Sequence, residues 1–226
     1  MGKLYLRQML LGPMQNFVYL VGDAEARRAV VVDPAWEVDR IVDQLAADDM
    51  TLEAALVTHF HPDHLGGDLM GHHIQGAAEL LERGHKIKVY VHEREADYVP
   101  RISGLSRSDL ALTSSGDELV VGEQRVRFLH TPGHTPGSQC FLVGDNLVSG
   151  DTLFIGSCGR VDLPGSDAAE MYDSLVNKLR ALPDHTVLYP GHDYADRPTS
   201  TIGEEKKRNV CLRFNRLEDF LGMMGY

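Results

Sequence analysis

The 226-residue chain is poor in three things that would each have announced a function class. Cysteine is the first. Cys140, Cys158 and Cys211 form an odd set, and no two stand at Cys-x-x-Cys spacing. Such a set makes neither a disulfide framework nor a cysteine-rich structural zinc site, and a reducing cytoplasm is the expected compartment. Long apolar runs are the second. No stretch of about 18 apolar residues occurs, so no membrane-spanning helix is expected. The run Met9-Leu10-Leu11 stops at Gly12-Pro13, too short for the apolar stretch of a signal peptide. The third is positive charge: 22 Lys and Arg stand against 33 Asp and Glu, a formal net charge of -11. Nucleic-acid binders line phosphates with Lys and Arg, so no nucleic-acid partner is expected.

What remains is ordinary globular material, 43% hydrophobic and 24% charged. One domain over residues 1–226 is expected, because a chain of this length can bury roughly 70% of its unfolded surface. The class is α/β. Phe17 to Val21 and Ala29 to Val32 are β-rich runs around a polar turn, which predicts a hairpin. Val38, Ile41, Val42, Leu45 and Ala46 recur at helical spacing. Further strands are expected at 54–57, 87–91, 140–143, 147–148 and 186–189, and a second hairpin around Gly122. Helices are expected over 74–81 and 168–182, the latter started by Asp167 with Glu170. Residues 97 to 116, rich in Ser, Thr and Gly, read as a mobile loop covering the site. No internal repeat or low-complexity tract interrupts this pattern.

The chemistry is concentrated at strand ends. Thr58-His59-Phe60-His61-Pro62-Asp63-His64 follows an apolar strand directly and places four potential ligands within six positions. His59 and His61, two apart in extended backbone, point the same way and can share an ion. Asp63 and His64 project after Pro62 and can serve a neighbouring one. His134 lies in the Pro/Gly turn Thr131 to Gly137, Asp151 follows Val148-Ser149-Gly150, and His192 follows Tyr189-Pro190-Gly191. His59, His61 and His134 can form one site and Asp63, His64 and His192 a second, with Asp151 able to bridge them. Two ions about 3.5–4 Å apart would acidify a shared water and polarise a carbonyl. Filled singly, His59, His134 and Asp151 form a two-His, one-carboxylate face suited to Fe(II). Imidazole and carboxylate donors suit one or two divalent ions, Zn or Fe, with Mn an option.

Taken singly, His134 and His192 read as packed or surface histidines. The cluster from His59 to His64 does not, because three imidazoles and a carboxylate crowded together without a metal would repel or go unsatisfied. His72, His73, His85, His92 and His185 lack the strand-end setting and read as ordinary polar positions, and His130 as structural. Cys158 reads as an inert thiol and Lys206-Lys207-Arg208 as a solvated helix face.

Thr58 to His64, with His134, Asp151 and His192, resembles the His-x-His-x-Asp-His signature and later ligand positions of the metallo-β-lactamase superfamily, over nearly the whole chain. The resemblance implies an αββα sandwich of two mixed β-sheets with helices on the outer faces and metals at one edge, with Asp63 also catalytic. Within the superfamily, Gly150 to Phe154, Cys158-Gly159-Arg160 and Gly191 to Tyr194 are most similar to the glyoxalase II and persulfide dioxygenase branch. That likeness implies a glutathione-linked substrate held by Arg160 and Tyr194. It implies a thioester hydrolase of the glyoxalase II kind, with an Fe(II) persulfide dioxygenase as the alternative and a lactone or β-lactam hydrolase as a further one. Asp162, standing where those hydrolases are expected to carry an aromatic residue, and the mere 34 residues after His192 favour the dioxygenase. The 70-position stretch from His64 to His134 is longer than a persulfide dioxygenase is expected to have, so the insertion over 65–133 should reshape the pocket. A homodimer is an open option.

Overall fold

A computed structural model describes residues 2–226. Its first half runs β1 (Leu4–Leu11), β2 (Asn16–Asp23), β3 (Arg28–Val32), α1 (Val38–Ala47), β4 (Thr51–Leu56), α2 (Pro62–Leu65), β5 (Gly67–Leu69), β6 (His72–Ile74), α3 (Ala77–Glu82), β7 (Lys88–His92), α4 (Val99–Ser103) and β8 (Leu110–Thr113). The second half runs β9 (Glu118–Val121), β10 (Gln124–His130), β11 (Gln139–Val143), β12 (Asn146–Gly150), α5 (Ala168–Tyr172), β13 (Val187–Pro190), β14 (Ser200–Thr201), α6 (Ile202–Arg208) and α7 (Leu217–Met224).

Two six-stranded sheets result, in the orders β1-β2-β3-β4-β7-β8 and β14-β13-β12-β11-β10-β9. Each is mixed: β3, β4, β7 and β8 run parallel in the first, and β12 and β13 in the second, while the other pairs are antiparallel. The reason is written in the period-2 alternation of strands buried on both faces. Phe17, Tyr19 and Val21 of β2 meet Phe128, Phe141 and Val148 of the opposite sheet, while Val18 and Leu20 turn outward onto Val38, Ile41 and Leu45 of α1. On the other side, Cys140, Leu147 and Leu188 pack under Met171, Leu175, Ile202 and Phe220 of the C-terminal helices. The architecture is thus α/β/β/α, as the family resemblance implies. No helix of the described residues is long and apolar enough to cross a membrane.

Two expectations are corrected. Residues 97–116 are not one covering loop: Val99 and Leu105 are buried, α4 forms, and β8 extends the first sheet beside β7. The polar letters there belong to turns between short elements. The segment 74–81 starts its helix only at Ala77, because Gly67 to Ile74 pair off first as a small hairpin, β5–β6, with Met70 at its tip and 94% exposed. The helix from Ala168 is observed; after α5 it continues through a π-turn stretch, Asp173–Lys178, into a single tight turn at Leu179–Ala181.

The two sheets are pinned together at one edge. Phe17 N–H donates to Gly191 O (2.8 Å) and Asp193 N–H to Gln15 O (2.8 Å), while Gln139 donates from its backbone to Thr58 O and from Nε2 to Val57 O, both at 2.9 Å. These ties draw the ends of β4 and β13 and the turn before β11 to a common rim.

Candidate metal centre

All seven donors singled out in the sequence meet at that rim. His59 Nε2 and His134 Nε2 each lie 3.0 Å from His61 Nδ1. Beside them, His64 Nε2 is 3.2 Å from His192 Nε2 and 3.3 Å from Asp63 Oδ2, with His192 Nε2 3.5 Å from the same oxygen. Asp151 stands between the groups: Oδ2 is 3.6 Å from His134 Nε2 and 3.5 Å from His192 Nε2, and Oδ1 is 3.4 Å from His64 Nε2. Three donor sets fall within 4.8 Å of mutual contact: His59/His61/His134, His59/His64/Asp151 and Asp63/His64/His192.

The outward nitrogens are already engaged, which fixes ring orientation. His134 Nδ1–H is placed to donate to Arg160 O (2.8 Å) and His192 Nδ1–H to Met14 O (2.9 Å). His59 Nδ1 sits 3.0 Å from Thr58 Oγ1 and His64 Nδ1 2.9 Å from Asp33 Oδ2. Nε2 of these four rings therefore faces the centre. Meanwhile Asp151 Oδ1 is buried with no hydrogen-bond partner among the described residues. An orphaned carboxylate oxygen is costly unless something positive satisfies it. Lone pairs converging at 3 Å beside it fit a cation, and hard-to-borderline N and O donors fit Zn or Fe.

Electrostatics agree. Burial pushes the His59 imidazole well below its ordinary range, with the surrounding histidines adding to it, and burial with His134 brings His61 down to about 4. Both are neutral at physiological pH, as a metal ligand has to be. For His64, burial works downward, but Asp63, Asp151 and Asp33 outweigh it and hold the ring well above its usual value. Burial would raise Asp63 and Asp151; the facing histidines reverse this, leaving Asp151 at about 2 and Asp63 lower still. Both carboxyls are ionised acceptors.

Three positioning residues escaped the sequence reading. Asp33, at the end of β3, accepts from Thr58 N–H and Thr58 Oγ1–H, both at 2.7 Å, and holds His64. Asn16 donates through Nδ2 to Asp63 O (2.9 Å) and Oδ2 (3.0 Å), and its own Oδ1 accepts from Trp36 Nε1 (2.9 Å). Glu95, 1% exposed, accepts from Thr135 Oγ1 and Gly137 N–H beside His134 and from Phe60 N–H between His59 and His61. Asp33 carried a signal, a carboxylate at a strand end; Asn16 and Glu95 carried none.

The His134 turn depends on a close approach. Gly133 has φ +139°, and a Cβ there would lie 2.4–2.5 Å from Met171 N, Cα and Cβ within α5. Gly133→Ala should cost about 3 kcal/mol, because backbone cannot step aside as a side-chain tip can. The chemical-denaturation midpoint checks this, and bound metal should fall with it as His134 is displaced.

Around the centre a pocket of about 460 Å³ is lined by Met14, Leu69, Met70, Phe154, Leu163, Arg160 and Tyr194 as well as the donors. Tyr194 stacks flat on His192 (4.6 Å, 9°) with Phe154 edge-on to it. Arg160 reaches the same pocket, but its guanidinium is held by Asp162 in two parallel hydrogen bonds of 2.9 Å.

The metallo-beta-lactamase superfamily pattern matches residues 11–70 and 72–192. A probable polyketide biosynthesis zinc-dependent hydrolase, BaeB, of Bacillus velezensis is 31% identical over 91% of this chain and 85% of its own length. The human mitochondrial persulfide dioxygenase ETHE1 is 33% identical over 97% of this chain and 80% of its own. A hydroxyacylglutathione hydrolase of Synechococcus is 35% identical over 79% of this chain and 65% of its own. Among solved structures, ETHE1 from Myxococcus xanthus superposes with a TM-score of 0.82 at 34% identity, covering 97% of this chain and 89% of that one. With the matched pattern spanning the four segments that carry the donors, and relatives that are hydrolases and dioxygenases by name, the chain belongs to the metallo-beta-lactamase superfamily.

Proposed function

We propose that the protein is a metal-dependent hydrolase of thioesters, such as an acylated glutathione. The observation that carries this reading is the second donor set: Asp63, His64 and His192 converge within the same 4.8 Å as His59, His61 and His134, with Asp151 between them. A single-iron dioxygenase needs only two histidines and one carboxylate. Two divalent ions held there would supply Lewis-acid polarisation of the thioester carbonyl and an acidified water.

The chain's own groups do the rest. In the net reaction a C–O bond forms from water, the C–S bond breaks, and a carboxylate, a thiol and a proton are released. Asp63 is held too acidic to act as a strong base; its Oδ2, steadied by Asn16 Nδ2, is an acceptor that orients the attacking water. Tyr194 and Phe154 give the thiol portion an aromatic wall, and Arg160 stands at the mouth.

Elemental analysis of protein purified without added metal, combined with turnover of lactoylglutathione under anaerobic conditions, tests the reading. Two metals per chain and undiminished anaerobic hydrolysis are expected. One iron per chain, with oxygen uptake on glutathione persulfide and no thioester turnover, would replace it with the dioxygenase. Asp162, here locked to Arg160, is the feature that keeps this second reading in view.

A further inference from the structure

A second cavity, about 430 Å³, opens on the other side of His61 and is lined by Phe60, Tyr98, Pro136, Pro164 and Gly165 with His61 itself. His61 also lines the central pocket, so the two cavities share the donor at their junction. The Phe60 and Tyr98 rings lie parallel, 5.1 Å apart at 11°, and form one wall; Tyr98 is 42% exposed, so that wall faces an open groove. Among the described residues its lining holds no Lys, Arg, Asp or Glu. In the central pocket the one Lys or Arg is Arg160, already satisfied by Asp162. An acidic thiol therefore finds little free positive charge here, whereas an apolar chain finds an aromatic and proline surface starting at the reacting centre.

We infer that the groove between Tyr98 and Pro164 receives the acyl group of the substrate, and that preferred substrates carry an extended apolar acyl chain in place of a short hydroxyacyl one. This rests on the thioester-hydrolase reading. Chain length is felt through the groove because each methylene laid against Phe60 or Tyr98 leaves water, and one buried methylene corresponds to about a fourfold gain in binding. Tyr98, on the turn before α4, is the specificity-determining side chain, since that turn lies within the segment between the His64 and His134 loops.

The test uses S-acylglutathiones from acetyl to octanoyl with the metal-loaded protein. The expected result is a rise in kcat/KM of about fourfold per methylene, levelling off when the groove is filled. Tyr98→Ala should collapse the octanoyl-to-acetyl ratio by tenfold or more, and Tyr98→Phe should restore it, which a general loss of folding would not do. A flat chain-length profile, or a ratio indifferent to Tyr98→Ala, would overturn the inference while leaving the hydrolase reading intact. Binding of S-octylglutathione against S-ethylglutathione, thioethers that cannot be hydrolysed, separates the two further. Tighter octyl binding, lost in Tyr98→Ala, supports the groove even if no thioester is turned over. Equal binding, or sedimentation showing that a second copy of the chain covers the groove, overturns it.

Discussion

Asp63→Ala should lower thioester turnover by about 10²- to 10³-fold, the loss typical when a preorganised polar group at the reacting centre is removed. Bound metal should fall from two ions per chain toward one. The reason lies in the division of labour at the rim. Asp63 Oδ2 belongs to the set with His64 and His192, and takes no part in the set formed by His59, His61 and His134. The first set should lose its ion while the second keeps one. Kinetics and metal analysis on the same sample check both halves. A dioxygenase built on His59, His134 and Asp151 would lose only a few fold in oxygen uptake on the same substitution, so an intact activity with one iron would sink the two-metal account. Asp33→Asn is the companion experiment. It weakens the contact to His64 Nδ1 without touching a donor, and a drop of about 10- to 100-fold in metal affinity is expected.

Between pH 6 and pH 9 the wild-type protein should lose about 2–3 kcal/mol more stability than Glu95→Gln. Glu95 is fully enclosed, and burial raises its carboxyl from 4.5 to about 8 against the pull of hydrogen bonds from Thr135, Gly137 and Phe60. The folded protein therefore keeps a proton that the unfolded chain has released over most of that window. The stabilisation from the protonated form is fully present below about 4.5 and is lost as pH rises through about 8. Glutamine keeps the acceptor oxygen for Gly137 N–H (3.1 Å) and carries nothing to titrate. Urea denaturation of both proteins at the two pH values, with metal removed from both, measures the difference. Parallel losses would show that Glu95 is ionised in the folded state. Because this carboxyl ties the Phe60 loop to the Thr135 turn, Glu95→Ala should in addition cost about 1–3 kcal/mol at pH 6 by stranding its donors.

The donors were legible for a local reason. His59, His61, Asp63 and His64 sit within six positions at the end of an apolar strand, and backbone geometry alone sends them to a common side. His134, Asp151 and His192 were legible by analogy of setting, since each follows a strand and a glycine-containing turn. The strands themselves were visible where burial on both faces made continuous apolar runs, as in β2 and β3. What failed were elements with mixed or polar faces. β1 mixes buried, half-buried and exposed residues without a regular period, the short pairs of the β5–β6 hairpin look like loop, and the segment 97–116 has the letters of a mobile stretch yet lies against the first sheet.

The sequence by itself determined the chemistry: which residue types are available, that they stand at strand ends, and that neither basic charge nor clustered cysteine offers another use for them. Only the tertiary structure brings the grouped donors within reach of one another, because His61 and His134, or His64 and His192, become neighbours only once two sheets close on each other. It alone decided that Asp33, Asn16 and Glu95 support them, since an isolated polar residue carries no mark of its partner until packing brings one within hydrogen-bond reach. And it alone decided that Arg160 spends its charge on Asp162 while Phe60 and Tyr98 open a groove, because what a pocket offers is set by what its lining residues have already satisfied among themselves.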